Sequence, residues 1–269
     1  MATEDVSLEK TVWDRRSSRE HLVRFLALLG AIVLFIVSWQ ALEVNYGYVA
    51  SSPAILQDMF SRMFPPDAGY SVEIVGPMIE TIHIGILGTA LAIVLSLPVA
   101  YIGAENTTMN RATLLLGKGI ISATRSVNTI IYALVFVVLF GPGAFAGVLA
   151  VAVRSVGFVS KLLAEAIEEI DPTQVEAVRA TGANGLETLL YGVVPQVKPA
   201  FIGVATYRWD INVREATILG FVGAGGIGAQ MSTQMNYFAW DNVLTILLAI
   251  LVVVLFSEWF SAWARRKVR

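Results

Sequence analysis

The chain has 269 residues, of which 56% are apolar and 15% charged, and its formal net charge is −2. Soluble domains carry about 25% charged residues, so an apolar excess that falls in blocks favours one membrane domain over one or two soluble domains. The charge balance provides no basic field for nucleic acid, and the absence of cysteine excludes disulfides, thiolate metal sites and cysteine nucleophiles.

Six stretches are apolar over the roughly 20 residues that a helix needs to cross a bilayer. They are predicted at Phe25–Leu42, Thr81–Gly103, Leu114–Phe140, Ala144–Ala164, Pro199–Phe221 and Val243–Trp263. Residues 1–24 are too polar for a cleavable signal peptide and form a lead-in segment, and residues 265–269 form a basic tail. The sequence therefore predicts an all-α integral membrane protein whose transmembrane domain spans residues 25–264.

The distribution of lysine and arginine predicts how these spans are oriented. Basic residues lie before the first span, after the sixth, between the second and third and between the fourth and fifth, whereas the opposite loops contain only Arg62. The positive-inside rule then places both termini in the cytoplasm. An even number of spans likewise requires both termini to lie on one side of the membrane.

Two segments are predicted on the external side. Residues 43–77 contain several prolines and acids and one short amphipathic helix near Pro53–Met63. The second segment has the G-x-G-x-x-G pattern of dinucleotide sites, but it follows a predicted membrane span instead of a strand. Its glycines are better suited to a tight re-entrant turn or a close helix contact, and they are candidates for an external gate: Gly223, Gly225, Gly226 and Gly228.

The cytoplasmic loop at about residues 165–198 contains two helix starts in succession. Asp171 is placed to cap a first helix with Pro172 at its first position and Gln174 closing a capping box. Gly182 suits the left-handed end of that helix.

The second helix of this loop starts at Asn184, with Glu187 three residues later, and is expected to end near Pro195. The loop is thus predicted to be a helix–glycine–helix unit.

This loop resembles the cytoplasmic signature of ABC-importer permeases, written EAA-xxx-G-x9-I-x-LP. Glu176-Ala177-Val178 is followed three residues later by Gly182, and Pro195 lies thirteen residues beyond. The sequence departs from the signature at Val178, Gly192 and Val194. The resemblance implies a type I ABC-importer permease fold of six transmembrane helices, in which a coupling helix docks on a separate ATPase. The residues implied in coupling are Glu176, Ala177, Arg179, Gly182, Asn184, Glu187 and Pro195.

Charged and polar residues inside the predicted spans are candidates for a translocation path, because such groups are costly unless they face a cavity or a partner. They are Arg125, Asn128, Arg154, Arg208, Asp210, Asn212, Arg214 and Glu215. Asn128 is expected one helical turn after Arg125 within the third span. Asp210 can pair with Arg214, and Arg208 with Glu215. These groups either line a route that attracts an anion or form internal ion pairs that fix helix packing, and the surplus of arginine mildly favours an anionic cargo.

A second resemblance narrows the cargo. Residues 208–228 and 124–129 resemble phosphonate-type ABC permeases, and the likeness extends over about residues 75–265. It implies import of phosphonate, phosphate or a related phosphorus oxyanion across a prokaryotic cytoplasmic membrane. The implied partners are membrane lipid, a second permease chain that forms a homodimer or a heterodimer with this one, two ATPase subunits that bind ATP and Mg, and an extracytoplasmic solute-binding protein. Permeases for methionine, osmolytes and nitrate share the general signature and remain alternatives.

No G-x-x-x-x-G-K-[ST] run is present, so no cofactor, metal or catalytic residue is expected on this chain. A secondary transporter would need no ATPase and could show an inverted repeat, which the two halves do not suggest. A membrane-embedded enzyme would need a cluster of histidines or acids near one membrane face. His21 and His83 are too far apart in sequence to supply one.

Overall fold

The computed structural model describes residues 18–268, so residues 1–17 and Arg269 of the predicted terminal segments lie outside it. The α-helices in this range are α1 (Ser18–Ala41), α2 (Tyr46–Met63), α3 (Val75–Gly103), α4 (Arg111–Ser126), α5 (Thr129–Phe140), α6 (Ala144–Glu168), α7 (Pro172–Ala180), α8 (Gly185–Thr188), α9 (Val194–Leu219), α10 (Ile227–Asn236) and α11 (Trp240–Val268). Two 3-10 turns cover Gly69–Val72 and Gly220–Val222, and a π-turn covers Leu189–Val193.

Five helical stretches are each long and apolar enough to cross a membrane: α1, α3, α6, α11 and the continuous run Gly185–Val222 that contains α9. A sixth crossing is obtained when the bent pair α4–α5 counts as one span. The all-α membrane fold predicted from the sequence is therefore confirmed, with one of its six spans divided between two helices.

The chain divides into two compact units, residues 1–58 and 59–269. In the first unit, α1 exposes large apolar side chains along its length, as expected of a helix surrounded by lipid. The short helix predicted at Pro53–Met63 begins seven residues earlier, at Tyr46, and Pro53 lies inside it. Pro53 leaves the Val49 carbonyl without its usual helical donor, and the hydroxyls of Ser51 and Ser52 donate to the neighbouring carbonyl of Tyr48.

In the second unit, small residues allow α3, α6 and α9 to pack closely. A methyl group added at Gly88 of α3 would lie 2.5 Å from Val151 of α6, and one at Gly85 would lie 2.8 Å from Val213 of α9. Glycine lets helix backbones approach each other in an apolar solvent, where dispersion contacts supply much of the association energy. Buried apolar side chains of these helices and of α5 form the central core around Ile84.

The predicted third span, Leu114–Phe140, is two helices instead of one. The first helix, α4, ends at Ser126, Val127 has an extended backbone, and Asn128 caps α5 by accepting a hydrogen bond from Ile130 N–H. The axes of α4 and α5 differ by 89°. With 12 residues, α5 is about 18 Å long and cannot alone cross a hydrocarbon layer of about 30 Å.

The predicted end of a helix near Pro195 is wrong. The four-residue helix α8 leads into the π-turn Leu189–Val193, and α9 follows at once with Pro195 in its first turn. Pro195 lies directly after the π-turn, where the hydrogen-bond pattern changes from π to α. The second helix of the cytoplasmic loop therefore continues directly into the fifth span.

The loops of the second unit gather at two opposite ends. The α3–α4 loop is held to the end of α6 by the Asn106 side chain, which donates to the Ile167 carbonyl at 2.5 Å, and by Glu105 N–H, which donates to Glu168 Oε1 at 2.9 Å. At the other end, Gly143 N–H donates to the Gly223 carbonyl at 2.8 Å. The segments that the charge pattern assigns to one membrane side are thus neighbours in space.

Candidate functional site

A buried polar network connects α3, α6 and α9 around Asn212, which is fully buried. The amide nitrogen of Asn212 donates to Thr89 Oγ1 at 2.8 Å, and its amide oxygen accepts from Ser155 Oγ at 3.0 Å. Ser155 Oγ in turn accepts from Arg208 Nε at 2.8 Å. Each link satisfies groups that would otherwise destabilise the interior by about 1–3 kcal/mol apiece.

Arg208 extends this network to α5. Its side chain is 4% exposed, and its Nη2 lies 3.4 Å from both carboxylate oxygens of Glu215. Glu215 also accepts from Thr129 Oγ1 at 2.7 Å, and the guanidinium lies 5.2 Å from the ring centre of Phe158, a cation–π distance. The pairing of Arg208 with Glu215 expected from their spacing is therefore present, and Arg208 also has partners in Ser155 and Phe158.

The second expected ion pair, between Asp210 and Arg214, is also present and lies on another side of α9. Asp210 is buried and accepts a further hydrogen bond from Ser257 Oγ of α11 at 2.7 Å. The Arg214 side chain is 43% exposed. This pair helps attach α9 to α11 and does not join the network around Asn212.

Arg154 differs from the other arginines of the spans. It lies on α6, and its buried Nη1 has no hydrogen-bond partner among residues 18–268. It lines a cavity of about 220 Å³ together with Glu215 and the first residues of α5, Asn128 and Thr129. A buried guanidinium nitrogen without an acceptor is costly, which sets Arg154 apart from the paired arginines of α9.

Arg125 and Asn128 do not lie one turn apart on a single helix, as the sequence predicted. Arg125 is exposed in the last turn of α4, and Asn128 is the N-cap of α5 beyond the bend. The physical reason is the extended backbone of Val127, which separates the two helices. Only Asn128 contributes to the cavity beside Arg154.

The first helix start of the predicted coupling loop is found at Asp171, which accepts from Thr173 N–H at 2.9 Å. This hydrogen bond, aided by Gln174, holds the pKa of the Asp171 carboxyl below its usual value. The predicted capping box with Gln174 is wrong, because the N–H of Asp171 donates to Gln196 Oε1 of α9 at 2.9 Å. The start of α7 is therefore attached to the first turns of α9.

The remaining local features of the loop agree with the sequence. Gly182 has a left-handed backbone with φ of 87°, and Asn184 and Glu187 form a reciprocal capping box at the start of α8. Glu176 and Arg179 of α7 line an open cavity of about 710 Å³. Ala177, Gly182 and Glu187 line a second open recess of the loop.

At the opposite end, three glycines make the tight turn that the sequence indicated. Gly223, Gly225 and Gly226 have φ between 75° and 83°, which side chains other than glycine rarely adopt. Gly228 makes a close helix contact, since an added methyl would lie 2.3 Å from the Thr217 carbonyl. The turn is fixed to α3 by Ile227 N–H, which donates to Thr81 Oγ1 at 2.8 Å.

Several residues of these networks were missed by the sequence reasoning. They are small polar residues within apolar helices, where their pattern resembles helix-packing positions: Thr81, Thr89, Thr129, Ser155 and Ser257. Hydroxyl groups in spans commonly bond across helices. That signal marks them as packing residues but does not name their partners.

Two thirds of the chain match a known family of membrane proteins, and relatives align over nearly its whole length. Residues 92–269 match the family described as binding-protein-dependent transport system inner membrane component. The chain is 36% identical over 258 residues to the phosphite transport system permease protein PtxC of Stutzerimonas stutzeri, covering 92% of this chain and 94% of that protein. It is also 36% identical over 256 residues to the phosphate-import permease protein PhnE of Mycolicibacterium smegmatis, covering 93% of this chain and 47% of that longer protein.

The fold also has a counterpart among solved structures. A chain of the MetNI methionine ABC transporter in an inward-facing conformation superimposes with a TM-score of 0.63. The match covers 73% of this chain and 96% of that chain at 24% sequence identity. At this identity the likeness concerns the fold, and it supports the type I permease architecture expected from the sequence.

Proposed function

The chain belongs to the family of binding-protein-dependent transport system inner membrane components, and on that premise we propose that it is the membrane-spanning permease subunit of an ATP-driven importer for a phosphorus oxyanion. Phosphite, phosphate and phosphonates are the members of this substrate class. The observation that carries the proposal is the 36% identity with a phosphite transport permease over nearly the full length of both proteins. Transport would proceed by alternating access, with no covalent chemistry on this chain.

The partners follow from this role. A second permease chain, a further copy of this one in the simplest case, would complete the route through the membrane. Two ATPase subunits would bind ATP and Mg and dock against the coupling loop, whose short capped helices can move as rigid bodies. An extracytoplasmic solute-binding protein would deliver the anion to the end of the bundle that carries the glycine turn. The protein would lie in a prokaryotic cytoplasmic membrane with both termini inside.

Within the coupling loop, we propose that the ATPase docks on the exposed surface of α7 and on the turn that leads from α7 to α8. Glu176, Ala177 and Arg179 lie on α7, and Gly182 sets the turn that follows it. The Asp171–Gln196 hydrogen bond and the π-turn connect this unit to α9. A displacement of α7 by the ATPase would therefore reach the span that contains the buried polar network.

Methionine is the alternative cargo for which a structural neighbour exists. The resemblance to the methionine transporter lies at 24% identity and describes the fold. The relatives at 36% identity are named for phosphite and phosphate instead. The excess of arginine in the spans also suits an anion better than a zwitterionic amino acid.

The test is uptake by the reconstituted complex. We expect a tagged copy of this chain, produced with the proteins of its neighbouring genes, to copurify with an ATPase. When the binding protein is added to proteoliposomes that contain the complex, uptake of phosphate, phosphite or methylphosphonate should require ATP. Absence of an ATPase would contradict the importer assignment, and ATP-driven uptake of methionine alone would contradict the cargo.

A further inference from the structure

The cavity between α5, α6 and α9 contains an unbalanced positive charge. Its ionic neighbours are Arg154 and the Arg208–Glu215 pair, so the two cations outnumber the carboxylate by one. Glu215 is already engaged by Arg208 and by Thr129. Arg154 is left without an ion pair among residues 18–268, and its charge repels that of Arg208.

Arg154, which lines this cavity, is distinguished from the arginines of α9 by a guanidinium nitrogen without a partner among residues 18–268. Arg208 and Arg214 have carboxylate partners on their own helix. The Nη1 atom of Arg154 is buried and lacks an acceptor, although a guanidinium normally donates several hydrogen bonds in a fixed fork. A small oxyanion provides several acceptors in the geometry that such a fork favours.

The size and the remaining walls of the cavity agree with this ligand. Its volume of about 220 Å³ is several times the roughly 30 Å³ that one water molecule occupies in the liquid. The start of α5, at Asn128 and Thr129, forms another wall, and the positive end of the helix dipole lies there. Ile130, Ile218 and Leu219 supply the apolar remainder.

Resting on the proposed function, we infer that this cavity is the site where the transported phosphorus oxyanion is held inside the membrane, with Arg154 as its direct cationic ligand. Arg208 acts differently, as a positioning residue that holds Glu215 beside Thr129. The carboxylate of Glu215 repels the anion and lowers the affinity of the site, so that the anion can also be released. The bend between α4 and α5 is what exposes the first turn of α5 to the cavity.

The experiment compares variants of the complex in two measurements, the Kd for phosphate, phosphite or methylphosphonate without the binding protein, and the number of anions taken up per ATP hydrolysed with it. Arg154→Gln should raise the Kd about tenfold or more and lower the uptake per ATP. Arg154→Lys should give a smaller rise, since an ammonium lacks the planar fork. Glu215→Gln should lower the Kd, because it removes the negative charge beside the anion.

The matched control is Lys161→Gln, which removes one positive charge from the same helix. Lys161 forms an exposed ion pair with Glu165 and does not line the cavity, so both measurements should stay at wild-type values. An assembled Arg154→Gln complex with unchanged Kd and uptake per ATP would overturn the inference. If the Arg154→Gln complex does not assemble, the Arg154→Lys complex provides the test. A wild-type Kd of the Arg154→Lys complex would also overturn the inference. A wild-type complex that neither binds nor imports any of the three anions would instead refute the cargo, and the site with it.

Discussion

Gly157 of α6 lies where the protein has no room for a methyl group. An added Cβ would come within 2.1 Å of Thr124 Oγ1 and 2.9 Å of the Ile121 carbonyl, both on α4. Neither neighbour can retreat easily, because the carbonyl belongs to the helix backbone and the Thr124 hydroxyl donates to the Ile120 carbonyl at 2.8 Å. The separation of α4 and α6 is therefore set at this residue.

We expect Gly157→Ala to destabilise the protein by about 1–3 kcal/mol, the usual effect of overpacking a tight interior. Gly203→Ala is the matched control, since Gly203 lies within α9 and an added methyl would meet nothing within 4 Å. Alanine is there favoured over glycine by about 0.5–1 kcal/mol as a helix residue. Thermal unfolding of each purified variant in detergent, followed by tryptophan fluorescence, gives its midpoint temperature. Equal midpoints for Gly157→Ala and Gly203→Ala would contradict the close contact between α6 and α4.

Residues also differ in how far their partners could be predicted. Asp210 and Arg214 lie four apart on one helix, so their pairing followed from the spacing alone. Asn212 reaches Thr89, which lies 123 positions away in the sequence, and no local pattern encodes that contact. For the same reason the sequence could nominate Arg154 as a candidate, but it could not separate this unpaired arginine from its paired neighbours.

Among the helices, the helix caps and the left-handed turn of the coupling loop were predictable because their signals are local, whereas the capping box with Gln174 and the helix end near Pro195 were predicted wrongly. Caps and left-handed turns depend on residues within one turn of each other, and Asp171, Gly182 and Asn184 all have the expected conformations. The bend at Val127 was missed because an apolar stretch of suitable length conceals it and no proline or glycine marks it. The Asn128-Thr129 pair was the available signal, since asparagine is a favoured N-cap.

Gly182 and Gly185 provide a test of the coupling loop. Both glycines have open space around them, but only Gly182 has a positive φ. Gly182→Val should strain the backbone by roughly 1–2 kcal/mol and turn α7 relative to α8, which weakens docking of the ATPase. Gly185→Ala keeps an ordinary helical backbone and should leave copurification of the ATPase unchanged. Equal recovery of the ATPase with both variants would show that the left-handed turn is not needed for docking.

On the scale of the whole second unit, hydrophobic clusters mark the two ends and the middle of the bundle. One cluster joins the ends of α3 and α6 to α7 and the start of α9, and another joins the Tyr70 turn to α10 and α11. The central cluster surrounds Ile84. The buried polar network around Asn212 therefore lies between two packed ends of the unit.

The proposed orientation can be tested with single cysteines, because the natural chain has none. Val72 is 76% exposed near the glycine-turn end, and Met109 is 89% exposed in the α3–α4 loop at the opposite end. We expect a membrane-impermeant maleimide to label Val72→Cys in intact cells and Met109→Cys only in inverted vesicles. The reverse pattern would place the coupling loop outside the cell and exclude its docking to a cytoplasmic ATPase.

The π-turn at Leu189–Val193 fixes the rotation of the coupling loop relative to α9 about the helix axis. A π-turn accommodates one residue more than the regular helix on either side of it, and each residue turns an α-helix by about 100°. Deleting a single residue here would allow α8 and α9 to merge into one regular helix. The coupling loop and the polar residues Arg208 and Asn212 would then be rotated by about 100° relative to each other. The length of this segment, more than its composition, is therefore what keeps the coupling loop in register with the polar network.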